Sequence, residues 1–322
     1  MSELGELTFR GFRGRDDYAG IAALINERIA EYGEGEHATV ASVAENYDHL
    51  QRCDPATDVR LVDGPDGRLV AYARVFWDDI VSEDHRAYHV VFEASSTVDG
   101  LADSILGWGI DRATEIASGH EHHDKRIVTW SVDGANDEIA IHRAGGFDPF
   151  AWAAAMVRRH LRDIPDAPLP DGLEIRPVVD RDLRAVWESD IEAFRDHRGY
   201  AEQDETDFER FLDGARRDTS LWKVAWDGDR VAGQVRTRVN DGEAEARGRR
   251  RAWTEDISTR REWRGKGVAS ALIAASLRQL AGLGFDEAAL GVDLDNPTGA
   301  LGVYQRMGYE VVLRVTQYSR QV

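Results

Sequence analysis

The run Arg264-Gly265-Lys266-Gly267-Val268-Ala269 restricts this chain more than any other stretch. It follows a strand-like segment, Trp253 to Thr259, and opens a helix-like one from Val268 to Ala281. A basic, glycine-bearing turn between a strand and a helix start can hold a pyrophosphate. The free amides of the helix's first turn point at the anion, and the helix dipole favours its charge. Gly265 and Gly267 allow close backbone approach because they have no Cβ. Arg264 and Lys266 add positive charge to an otherwise acidic sequence. A solvated basic turn ahead of an amphipathic helix is the plain alternative, so the residues downstream must decide.

Leu272, Ile273, Leu277 and Leu280 recur at helical spacing, and Gly282 and Gly284 end that helix. Ala288 to Val292 reads as a short buried strand. Val292-Asp293-Leu294-Asp295-Asn296-Pro297 follows, then a second helix with Ala300 and Tyr304, and a closing Gly308-Tyr309 pair.

This ordered set resembles the GNAT superfamily of acetyl-CoA-dependent N-acyltransferases. The phosphate-turn pattern is carried by Arg264, Gly267 and Ala269, and the downstream pattern by Asn296, Ala300, Tyr304, Gly308 and Tyr309. The resemblance implies that the backbone of Arg264, Gly265, Lys266, Gly267, Val268, Ala269 and Ser270 binds the CoA pyrophosphate. It further implies that Ile257, Ser258 and Thr259 pair, strand-like, with the pantetheine arm. Tyr304 would then serve as the general acid for the departing thiolate. Acetyl-CoA is the implied co-substrate, and no metal is called for.

The chain also reads as a tandem. Leu7-Thr8-Phe9-Arg10-Gly11-Phe12 has a counterpart in Leu173-Glu174-Ile175-Arg176-Pro177-Val178, followed by helix starts at Asp16 and Asp182. Each half has a hairpin turning through Asp-Gly, at Asp66-Gly67 and Asp227-Gly228. The proline-studded stretch 161–172 is expected to be a linker between a degenerate first domain, 1–160, and a second domain, 173–322, with the acetyl-CoA site. The expected fold is α/β (an α+β mixed sheet): two GNAT-like domains, each a twisted, largely antiparallel sheet flanked by helices. In the first half Thr97 stands where Arg264 would, Asp99 replaces Lys266, His142 replaces Tyr304 and Gly134 replaces Asn296. An aspartate at the mouth of a phosphate nest repels the ligand, so this half is expected to have lost CoA binding. Tandem arrangement, Val292-Asp293 to Asn296 and Gln317-Tyr318-Ser319 resemble the mycothiol synthase group of the superfamily.

Composition narrows the rest. The net charge of −19 over 322 residues argues against nucleic acid as a partner. It suits steering of a cationic amine, or simply solubility. No apolar run is long enough for a membrane span, and the opening Met-Ser-Glu-Leu-Gly-Glu lacks the features of a signal peptide. The single Cys53 fits a reducing cytoplasm and is a poor nucleophile in its local sequence. The tandem is expected to act as an internal pseudo-dimer, making the chain a monomer.

Several candidates keep two readings. Asn296 before Pro297 is the arrangement of a helix N-cap, with or without a contact to CoA. Gly308 reads as a left-handed helix stop. The attacking amine needs a proton acceptor. Glu255, on the strand before the phosphate turn and by simple alternation on one face with Ile257 and Thr259, is one candidate. His197, in a loop between helices that the resemblance implies lines the acceptor side, is the other, as a substrate-binding or relay group. The run His120-Glu121-His122-His123-Asp124 is expected to be a solvated loop. The function expected is transfer of an acetyl group from acetyl-CoA to a primary amine of a small molecule in a ternary complex. An idle acyl-CoA-binding or sensing protein is the alternative from another class. Mycothiol-synthase-like or antibiotic-modifying acetyltransferases are the alternatives within enzymes.

Overall fold

The computed structural model describes all residues except 1–5, 216–217 and 297. The chain divides into two compact units: 1–153 together with 313–322, and 154–312.

The first unit contains β1 (Thr8–Gly11), α1 (Tyr18–Tyr32), α2 (Val40–Asp48), β2 (Val59–Asp63), β3 (Leu69–Ile80) and β4 (His85–Ala94). It continues with α3 (Leu101–Ser118), β5 (Lys125–Val132), α4 (Asn136–Ala144) and the start of β6 (Asp148–Arg158). The remainder of β6 opens the second unit. There follow β7 (Glu174–Ile175), α5 (Leu183–Phe194), α6 (Glu205–Ala215), β8 (Lys223–Asp227), β9 (Arg230–Val239) and α7 (Asp241–Arg247). Next are β10 (Arg251–Thr259), α8 (Val268–Gly282), β11 (Glu287–Asp293), α9 (Ala300–Arg306) and β12 (Glu310–Gln321), whose later residues belong to the first unit.

In the first unit the strand order is β1-β2-β3-β4-β5-β12; in the second it is β6-β11-β10-β9-β8-β7. Within each, one central pair is parallel, β4 with β5 and β10 with β11, while the hairpins and the β12–β5 pair are antiparallel. The architecture is thus the expected mixed, largely antiparallel sheet with helices.

The expected domain ends need correction. Each unit is closed by a strand from beyond the midpoint that sequence similarity suggests: Val315 to Gln321 of β12 pair with Arg126 to Val132 of β5. Nor is 161–172 a free linker. Leu161 is buried in the second unit's core, and Ile164, Ala167, Leu169 and Leu173 pack against it. The prolines remove regular secondary structure, but the apolar residues between them still gain by leaving water. Arg158 ties the strap down, its guanidinium donating to the carbonyls of His160 and Arg162 at 3.1 and 2.5 Å.

The repeat is visible in side-chain chemistry too. Arg10 donates to Asp17 at 3.0 Å and Arg176 to Asp182 at 3.2 Å, each aspartate also accepting an amide just upstream of its helix. The partner in the first unit is Asp17, one residue beyond the Asp16 that sequence counting selects.

The second unit's core explains how its site is held. Leu272, Ile273, Leu277 and Leu280 of α8 are buried against Ala252, Ala288 and Leu290, each large side chain worth roughly 1.5–3 kcal/mol. Gly233 lets β9 meet β10: a Cβ there would stand 2.8 Å from the Ser258 carbonyl oxygen and 3.0 Å from Val268.

Candidate active site

β10 and β11 are paired only through Arg251–Glu287, Ala252–Ala288 and Trp253–Ala289, although both strands run on. Beyond Trp253 they part. Two parallel strands that separate leave backbone amides and carbonyls along an open edge, free to bond an extended ligand. The divergence is held at its root, where the Thr254 hydroxyl bonds the Ala289 carbonyl (3.0 Å) and the Tyr309 hydroxyl (2.9 Å).

The phosphate turn lies at the far end of β10. Gly265 and Gly267 have φ of 72° and 89°, the left-handed region where a side chain would be strained. Gly267 precedes α8 with no side-chain cap, so the first-turn amides of this 15-residue helix remain directed outward. Arg264 is placed differently from a phosphate-grasping side chain. Its guanidinium donates to the Thr259 carbonyl at 3.2 Å, to the Ala193 carbonyl at 2.8 Å and to Asp196 at 3.3 Å. It clamps the turn to the end of α5, so the cationic group of the turn not engaged in this clamp is Lys266, whose ammonium sits 4.6 Å from the Trp263 ring centre.

Tyr304 on α9 is buried, and burial with the nearby Asp293 charge pushes its phenol up to about 12. His197 packs edge-on against Phe194 at 4.5 Å. Burial lowers its pKa, opposed by Asp293 and assisted by Arg264. Asp293, at the end of β11, is raised by desolvation against the pull of His197 and Arg198. The structure therefore brings Thr259, Arg264, His197, Asp293 and Tyr304 toward one end of the strand opening.

Two expectations change. Asn296 is not the N-cap of α9, which begins at Ala300 after Gly299. Its carboxamide oxygen instead accepts from the Thr298 amide (2.8 Å) and hydroxyl (2.6 Å), closing a turn of its own. Pro297 lies outside the described residues.

Strict alternation also fails in β10. Glu255 pairs with Arg236 and Ser258 with Gln234. Two steps on β9 thus face three on β10, a bulge at Asp256, whose φ is 44°. The extra residue puts Glu255 on one face with Ser258 rather than with Ile257 and Thr259. Glu255 is held there by Arg238 at 2.6 and 3.2 Å. Gly308 behaves as read: φ is 83°, and the Arg158 guanidinium occupies the place a Cβ would need.

Sequence reasoning passed over Asp190. Its carboxylate accepts from Gln234 (3.2 Å) and Arg236 (2.8 Å) and is hydrogen-bonded to Ser258 beside the bulge. Desolvation pushes it up to about 6, against the opposing effect of Arg236. A signal existed: Leu183, Val186, Trp187, Asp190 and Ala193 form one helical stripe, so a carboxylate stands on the inward face.

In the first unit, β4 and β5 pair through Arg86–His89 and Lys125–Val128 and then stop pairing. Here side chains fill the surroundings. Ser95 and Ser96 donate to Glu27 and Glu31 at 2.5 and 2.6 Å. Arg28 is buried among Glu31, Glu93 and Glu138. His142 is fully buried, stacked on Tyr318 at 4.8 Å.

Cys53 has its thiol pushed up to about 11 by burial, unsuited to nucleophilic attack. His122 and His123 are met by Asp84 from another loop, with ligand atoms within 4.8 Å of one another, a grouping the sequence spacing conceals. Among the described residues, no helix is long and apolar enough to cross a membrane.

Residues 183–309 match the model of the acetyltransferase (GNAT) family. Mycothiol acetyltransferase of Streptomyces bingchenggensis is 29% identical over 77% of this chain and 76% of its own length. That of Streptomyces coelicolor is 28% identical over 90% and 87%. Among solved structures, a GCN5-related N-acetyltransferase from Sphaerobacter thermophilus superposes with a TM-score of 0.76 at 24% identity, covering 98% of this chain and 96% of that one. A tandem GNAT protein from the clavulanic acid biosynthesis pathway gives 0.68 at 15%, covering 98% of both.

Proposed function

We propose that this chain, a member of the acetyltransferase (GNAT) family through residues 183–309, transfers an acetyl group from acetyl-CoA to a primary amine of a small molecule. The observation that carries the reading is the divergence of β10 from β11, with an uncapped helix N-terminus beyond one strand and a buried Tyr304 near the other. Pantetheine would bond the free edge of β10 at Ile257 to Thr259, and the pyrophosphate would meet the amides from Gly265 to Ser270. Asn296, with its oxygen already engaged by Thr298, would meet CoA through its amide group.

The amine attacks the thioester carbonyl directly, polarised by backbone amides at the bulge. Tyr304 keeps its proton at every working pH. Transfer to a thiolate of ordinary basicity, about 8.5, is uphill for so weak an acid, so its hydrogen bond to sulfur carries the early stabilisation. Transfer completes as the thiolate forms away from water. His197, whose burial favours the neutral imidazole, would contact the acceptor. Two relatives named mycothiol acetyltransferase make a thiol-bearing amine the first acceptor to test, followed by aminoglycoside-type polyamines.

Calorimetric titration of acetyl-CoA tests the assignment. Wild type is expected to bind at one site, in the second unit. Arg264→Glu should abolish it, because a carboxylate cannot donate to the Ala193 and Thr259 carbonyls and repels the pyrophosphate. Unchanged binding in that variant would remove the phosphate turn from the site. Binding without turnover of any amine would favour the sensing role.

A further inference from the structure

The helix α8 packs on one face of β10, through Ala252, and follows directly on the phosphate turn. A cofactor threaded between β10 and β11 from that side leaves the thioester open toward the opposite face, which α5 covers. Asp190 of α5 stands on that face. Its carboxylate meets Gln234 and Arg236 of β9 and Ser258 of β10. Arg236 also pairs with Asp256 of the bulge at 3.0 Å, and the Asp190 side chain retains 14% of its exposure. One guanidinium therefore stands between two carboxylates, so the group carries net negative charge on the acceptor side. Glu255, the carboxylate on the same face, is occupied by Arg238.

We propose that Asp190 is the catalytic base that takes the proton from the attacking amine, with Arg236 and Ser258 as the positioning residues that aim its carboxylate. The assignment rests on the acetyltransferase reading above. As the nitrogen–carbon bond forms, the amine's proton passes to the Asp190 carboxylate. The carbon–sulfur bond breaks, and sulfur takes the Tyr304 proton. Exchange with water returns the Asp190 proton and reprotonates the phenolate, leaving acetylated amine and free CoA.

The groups facing Asp190 set its working range. Burial raises it, Arg236 opposes the rise, Asp256 adds to it and the Ser258 hydroxyl opposes it. The base form is thus lost as pH falls through about 6, while groups with ordinary carboxylate values stay ionised.

The test measures kcat and kcat/KM from pH 5 to 9 at saturating acetyl-CoA, using whichever amine of a panel of thiol-bearing amines, sugar amines and aminoglycosides wild type acetylates best. Asp190→Asn is expected to lower kcat by about 10²–10⁴-fold, to lose the acid limb near pH 6 and to keep its acetyl-CoA affinity. Asp190→Glu should restore part of kcat with the limb displaced, a result that loss of folding cannot imitate. Arg236→Lys should displace the limb while leaving it present. An Asp190→Asn enzyme with a wild-type kcat and limb would overturn the assignment, as would transfer of the limb's loss to Glu255→Gln. Wild type that binds acetyl-CoA yet acetylates no amine would overturn both readings, and so differs from failure of Asp190 alone.

Discussion

Tyr304 combines a buried phenol with a position on the last helix before the closing strand. Replacing it with phenylalanine preserves the ring contact with Tyr309 at 6.3 Å and removes only the hydroxyl. We expect kcat to fall about 10²–10⁴-fold with acetyl-CoA affinity unchanged, measured by thiol release and calorimetry; an equal loss in affinity would make the residue a packing element. At this scale the sequence was legible where a residue's type and place in a motif both carried meaning. Gly267, whose left-handed backbone the structure shows, is such a case. Asp190 was hidden because its partners, Gln234, Arg236 and Ser258, lie more than forty residues away in sequence. Arg264 was half legible: the charge was plain, but its three acceptors come from β10 and the end of α5.

At the scale of elements, the bulge in β10 decides which side chains share the face that α5 covers. One extra residue reverses the facing of everything before it relative to everything after it. Alternation read from sequence assumes an unbroken period of two, so the error at Glu255 was a failure of that assumption. Strands, helices and hairpin turns were otherwise well marked, because Asp-Gly turns and apolar spacing are local signals. The close approach of β9 to β10 at Gly233 was not, since it depends on what lies across the ladder. Gly233→Ala should push the Ser258 carbonyl and the head of α8 apart. The expected cost is about 1–3 kcal/mol of stability with weaker acetyl-CoA binding, seen by denaturant titration and calorimetry. Unaltered affinity would mean that the bulge tolerates displacement without consequence for the ligand.

For the whole molecule, the two-fold repetition was readable and the ownership of strands was not, because a repeat shows similarity and says nothing about which sheet a segment joins. Removing residues 313–322 takes away the partner of β5 and the Tyr318 ring that lies on His142. We expect hydrogen-exchange protection of Lys125–Val132 to collapse and the first unit to lose about 3 kcal/mol or more. Protection that survives would show that β5 is stable at an open edge.

The position of β12 also sets an order of events during synthesis. β5 ends at Val132, whereas its partner strand begins at Glu310. At about 5–20 residues per second, on the order of ten to thirty seconds separate the two on the ribosome. The unit made first waits with a bare strand edge until the one made second has emerged, and the opening half of the chain is the last to be finished.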